Sequence, residues 1–291
     1  MAKFISTFLI AFLCATLGVA PLSAIAKTGA SKTQAEAIKP IRILIVPGHD
    51  DEVWGAQYKN MKEASMTLAL GTQIFNLLKK DKRFEVYITR NSNGYTKDFA
   101  DYFTNHMDEI KSFKQIAKTQ MAGQLAAGLF VQKKNTPHAS VKEIVADRLY
   151  GLNKWANENN IDAMIHIHFD DYPRPHAWTI GDYKGFAIYM PESQFPNAAN
   201  SALLAGNIFA QLEKKYITST YPEEKGGLIP DQKLIALGAN DTLLPSTRSV
   251  LVEYGYIYQK IFRNSNTRHQ AYKTMADLTT KGITNYFFPK N

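Results

Sequence analysis

The chain has 291 residues, 45% of them apolar, and a formal charge of +8. That apolar share can build a sizeable core, and no run of basic residues is dense enough to argue for nucleic-acid binding. The single cysteine, Cys14, falls in the leader, so the body has no disulfide, thiol nucleophile or thiolate ligand, and any metal must be held by His, Asp or Glu.

Residues 1–26 have the layout of a secretory signal peptide. Lys3 precedes an apolar stretch from Phe4 to about Ala20, and Ala24-Ile25-Ala26 stands before Lys27. The alternative is an uncleaved anchor, because Phe4 to Ala26 is long enough to span a bilayer. Pro21 and Ser23 favour cleavage, which leaves an exported mature chain with no membrane span. Phe12 and Leu13 are bulkier than the residues that usually precede a lipidated cysteine. The positive charge suits an anionic envelope polymer or lipid surface, or simply keeps the surface soluble. Residues 27–40, small and polar and ending in Pro40, read as a tether, and one domain follows over 41–291.

Within that domain strands and helices alternate. Ile41–Val46 is nearly all apolar, as a strand buried on both faces should be. Met61–Lys80 recurs at helical spacing through Leu68, Ile74, Leu77 and Leu78. Phe84–Thr89, Ala163–Phe169, Gly185–Met190 and Ser249–Tyr254 read as strands. Ser140-Val-Lys-Glu143 has the form of a capping box opening a helix to about Asn157. Asn200–Lys215 and Ser265–Phe287 complete the helices, the last loosened at Gly282. The pattern predicts a three-layer α/β sandwich, with a largely parallel or mixed central sheet and helices on both faces. Between about 91 and 139 no strand pattern occurs. Phe99, Tyr102, Phe103, Met107, Ile110, Phe113, Ile116 and Ala117 form a helical stripe, read as an extra helix packed on the sheet, as a lid or groove wall over the site, or as a docking face for a protein regulator.

Three apolar runs end in ionisable side chains: His49 after Pro47-Gly48, His166 and His168 in AMIHIHFDD, and Glu253 in SVLVEYGY. Strand ends are rigid and open onto loops, so this is how a site is built. Glu63 adds a carboxylate at the start of the following amphipathic run. A catalytic zinc takes three protein ligands and keeps one position open, and His49, Glu63 and His168 would supply two nitrogens and an oxygen. A separate carboxylate must take the water's proton and pass it to the leaving amine, and Glu253 suits that task. Each residue also has a plain reading, for example Glu63 as a favourable helix-start charge. His166 and His168 share a strand face, so spacing alone leaves open whether both bind metal or one supports the other. Asp170 shares that face and would orient a ligand or bind substrate. Asp50, Asp51 and Glu52 read as solvated loop charges, and Arg248 as a surface arginine before a strand.

The order PGH, a glutamate opening a helix, I-H-I-H and then L-V-E-Y-G-Y resembles the zinc-dependent N-acetylmuramoyl-L-alanine amidases of the amidase 3 class, over about residues 41–287. Thr89-Arg90, Arg148, Asn157, Asp162, Gly185 and Tyr189 match as well. The resemblance implies one zinc ion on His49, Glu63 and His168, with Glu253 as the catalytic glutamate. It favours His168 because the family's Ser of S-x-H corresponds to His166. It also implies peptidoglycan as substrate, hydrolysis of the bond between N-acetylmuramic acid and L-alanine, and a periplasmic or cell-wall location. The chain departs from the family at Asp50 and Asp51, where glycines are common, at Asp170, where Asn is usual, and in the longer 91–139 segment. An inactive wall-binding protein of the same fold, or a zinc hydrolase of another amide, stands as the alternative.

Overall fold

The computed structural model describes residues 39–134, Thr136 and 140–289. The expectations for the signal peptide and most of the tether lie outside the described residues. In chain order the elements are β1 (Ile41–Pro47), β2 (Gln57–Tyr58), β3 (Met61–Lys62), α1 (Glu63–Leu78), β4 (Phe84–Ile88), β5 (Arg90–Asn91), β6 (Gly94–Tyr95), α2 (Lys97–Asn105) and α3 (Met107–Ala126). They continue with α4 (Glu143–Glu158), β7 (Ala163–Asp170), β8 (Ala187–Pro191), α5 (Ala198–Leu212), β9 (Leu228–Asp231), β10 (Arg248–Tyr256), α6 (Lys260–Arg263) and α7 (Ser265–Phe287).

One mixed sheet runs in the order β4-β1-β7-β10-β8-β9. The strands β4, β1, β7 and β10 are mutually parallel, β8 is antiparallel to β10, and β9 is parallel to β8. Side chains alternate across the sheet. Ile43, Ile45, Ile165, Ile167, Val250 and Val252 pack with Leu70, Ile74, Leu204, Ile208 and Met275 of α1, α5 and α7. On the other face Leu44, Val46 and Met164 pack with Phe99, Phe103, Ile110 and Trp155 of α2, α3 and α4. The three-layer sandwich expected from the alternating pattern is therefore present. None of the described helices is long and apolar enough to cross a membrane.

Two local expectations need correction. The helix after Ser140 begins at Glu143, Lys142 occupies its cap position and no side-chain cap forms, so there is no capping box. Glu143 instead pairs with Lys114 of α3, which also bonds Asp147 at 2.6 Å. In the 91–139 segment the described residues carry the helical stripe into the core. They form a short hairpin and two helices, and Phe99 and Ile110 are buried against α4. Finally, α7 is continuous through Gly282. A Cβ at that position would stand 2.5 Å from Ile208 Cα and 2.9 Å from Asn207 O of α5, so the missing side chain permits a close helix crossing. Gly282→Val should cost about 1–3 kcal/mol through overpacking, read as a lower urea midpoint at unchanged slope.

The strand β9 is absent from the sequence pattern because Pro230 interrupts it, which an edge strand tolerates. What matters for function is that β1, β7 and β10 are adjacent or central and parallel. Their carboxyl ends therefore open onto one crevice.

Candidate functional site

The first ligand candidate leaves β1 through Pro47-Gly48. Gly48 N donates to Ile167 O at 2.9 Å, holding the turn against β7. The His168 ring occupies the space where a Gly48 side chain would begin, so glycine is required there by close approach. His49 then adopts φ 61°, a left-handed conformation that turns its ring back over the crevice.

Glu63 is the first residue of α1 and is 4% exposed. Its Oε2 accepts from Ala56 N at 2.8 Å and its Oε1 from Phe169 N at 3.1 Å. The same oxygens face the two imidazoles: His168 Nδ1 lies 3.0 Å from Oε1 and His49 Nε2 lies 3.2 Å from Oε2. The two rings stand edge to face with centroids 5.1 Å apart. One ligand atom from each of His49, Glu63 and His168 falls within 4.8 Å of the others.

Charge is arranged accordingly. Burial alone would raise the Glu63 pKa, but the charges and hydrogen bonds of His49 and His168 outweigh it and pull the carboxyl far below its usual range. Burial works against a charged His49, and Glu63 overcomes it to raise that imidazole's pKa. At His168 burial prevails and the pKa is lowered.

The sequence pair separates in space. His166 is on the same face as His168 but lies two residues deeper and 1% exposed, outside the three-residue cluster. Burial pushes it down to about 3, so it is a neutral imidazole. Glu253 is the register partner of His168 on β10. Its Oε2 is buried without a hydrogen-bond partner, and burial followed by the charges of Asp170, Glu63 and Glu224 raises its pKa well above the usual range. Burial and Glu224 raise Asp170 likewise. Glu224 accepts from Tyr189 OH at 2.6 Å and from Tyr256 OH at 3.0 Å. Several buried carboxylates around two imidazoles form a site that a cation would relieve, and two nitrogens with one carboxylate are a donor set that fits zinc.

The surrounding shell holds residues that the sequence did not single out for this task. Arg90, 4% exposed, donates to Pro47 O at 3.2 Å, Gly48 O at 3.0 Å, Ala64 O at 2.5 Å and Thr67 Oγ1 at 2.9 Å. It ties the His49 turn to the first turn of α1. Asp50 is not a solvated loop charge. Its Oδ1 caps Glu52 N and Val53 N, and its Oδ2 accepts from Arg148 at 3.1 Å. Glu52 pairs with Arg148 too but stays mostly exposed, as does Asp51. Arg248 lies at the opening of β10, away from Glu253, and donates to Tyr286 OH.

Space exists on both sides of the cluster. His49, Glu63, His168, Asp170 and Glu253 line an open cleft of about 690 Å³. His49 and His168 also border a mostly apolar cavity of about 600 Å³, floored by His166, Leu251 and Val145. Open space therefore continues past the cluster in two directions.

Against this geometry, the N-acetylmuramoyl-L-alanine amidase family model Amidase_3 matches residues 43–285. The chain belongs to this amidase family. All four of His49, Glu63, His168 and Glu253 lie inside the matched span. The amidase fold is shared with the CwlD amidase from Clostridioides difficile in complex with the GerS lipoprotein, at 14% identity and TM-score 0.54 over 85% of this chain and 98% of that one. It is shared with an N-acetylmuramoyl-L-alanine amidase from Clostridium difficile 630, at 16% identity and TM-score 0.51 over 87% and 99%. The Ami1 amidase from Mycobacterium smegmatis gives 16% identity and TM-score 0.52 over 87% and 99%. No curated protein matches the chain in sequence.

Proposed function

We propose that this amidase-family chain is an exported, zinc-dependent N-acetylmuramoyl-L-alanine amidase that hydrolyses the bond between N-acetylmuramic acid and L-alanine in peptidoglycan. The observation that carries the reading is the convergence of His49, Glu63 and His168 beside Glu253, whose buried Oε2 has no hydrogen-bond partner. His49, Glu63 and His168 would hold the ion. Zinc, when bound, lowers the pKa of water and polarises a carbonyl.

The chain's own groups do the rest. Glu63 is held deprotonated by its two histidine neighbours and oriented by two backbone N–H groups, so the ligand set is prepared before any substrate arrives. Glu253 takes the proton of the attacking water and delivers it to the leaving nitrogen. A carboxylate whose proton affinity is raised by burial serves both halves of that transfer. The reading keeps a protein regulator at α3, where Ile116 and Leu125 are exposed.

Digestion of purified peptidoglycan, followed by mass spectrometry, tests the reaction. Stem peptides with a free L-alanine amino terminus are expected, and chelation should abolish their release. Other fragments would make the chain a hydrolase of a different bond, and an undigested wall would leave it a binding protein.

A further inference from the structure

A second pocket, of about 570 Å³, opens between the first turns of α1 and α7 and is separate from the cleft of His49 and Glu253. Its lining includes Lys62, Ser65, Arg263, Ser265, Arg268 and Tyr272. There is no Asp or Glu from Val53 to Lys62, from Ala64 to Lys80 or from Tyr254 to Ala276. Among the described residues none of Lys62, Arg263 and Arg268 forms an ion pair with a carboxylate. The Lys62 ammonium rests over the Trp54 ring. Arg268 uses Nη1 on Phe262 O at 2.6 Å and on the Met61 sulfur at 2.9 Å. Its remaining N–H groups have no protein acceptor among the described residues.

The second observation is Tyr272. Its side chain is 5% exposed, with the ring packed against Phe169 and Phe262, yet its hydroxyl is buried without a hydrogen-bond partner. The charge acting on that hydroxyl is Arg268. A buried hydroxyl beside uncompensated cations calls for an acceptor from outside the protein. Three positive charges and several donors, with no lining carboxylate, select a multiply charged oxyanion over a single carboxylate. The start of α7, a 23-residue helix, adds the positive end of its dipole, while Asn264 Oδ1 caps Asn266 N and Thr267 N there.

We infer that this pocket binds a phosphate group through Lys62, Arg263, Arg268 and the Tyr272 hydroxyl. The site is independent of the amidase reaction. Its volume takes a phosphate together with its ester substituent.

Calorimetric titration of the full chain with glycerol phosphate should give saturable one-to-one binding that weakens with salt. Arg263→Gln combined with Arg268→Gln should weaken it by about tenfold or more. Because Arg268 also bonds Phe262, Arg263→Gln and Tyr272→Phe are measured singly, with circular dichroism to check the fold, and each should weaken binding severalfold. Release of stem peptides should be unchanged in all of them, so loss of amidase activity and loss of this site are read separately. Sedimentation with phosphatidylglycerol vesicles assigns the source. Vesicle binding that glycerol phosphate displaces puts the phosphate on a lipid, and a chain that ignores vesicles takes it from a soluble or wall-borne compound. No saturable binding, equal binding by the variants, or equal binding of acetate would overturn the proposal.

Discussion

Glu253→Gln should abolish nearly all hydrolysis while leaving metal content unchanged. The carboxylate contributes no atom to the cluster of His49, Glu63 and His168, so the ligand set survives its loss. The amide has nearly the same shape but cannot accept and return a proton. A positioned general base contributes about 10²–10⁴-fold, so the rate should drop by at least that range on purified wall. The pH profile is informative as well. The base must be ionised, and burial among carboxylates raises its pKa, so the wild-type acid limb should fall above the ordinary carboxylate range. The residual rate of the variant should lack that limb. Wild-type activity in Glu253→Gln would remove this residue from the mechanism.

The second large effect separates the two strand histidines. His168→Ala should reduce bound metal to background, because its imidazole supplies one of the three clustered ligand atoms. His166→Ala should keep one equivalent. Among the described residues His166 Nε2 makes no hydrogen bond to a ligand, so its loss should cost less than the roughly 10- to 100-fold that follows removal of a group bonded to a ligand. Metal analysis by mass spectrometry reads both. A metal-free His166→Ala beside a loaded His168→Ala would reverse the assignment. Circular dichroism belongs with the measurement, since emptying a fully buried imidazole site destabilises the sheet.

Much of this site is legible in sequence for a single reason. An ionisable side chain that closes an apolar strand is costly unless it has a partner or a task, so His49, His168 and Glu253 stand out. Glu63 is readable only by its place at a helix start, where a plain dipole role is equally good. The supporting shell is harder to read because its bonds are long in sequence. Arg90 grips carbonyls 26 to 43 positions away, and Glu224 meets its tyrosines across 32 and 35. Asp50 passes for a solvated charge in the run Asp50-Asp51-Glu52 until Arg148, 98 positions later, packs beside it. The helical stripe of the 91–139 segment is visible, but not which way it faces. Only the packing of Phe99 and Ile110 against α4 makes it part of the core.

The strands that carry His168 and Glu253 are the two innermost of the sheet, with β1 alongside. Backbone amides in such strands exchange with solvent only when the whole domain opens. The reactive geometry therefore has no private melting step. On heating, the centre should persist until the protein unfolds as a unit, so the unfolding rate of the whole domain sets how long the site survives.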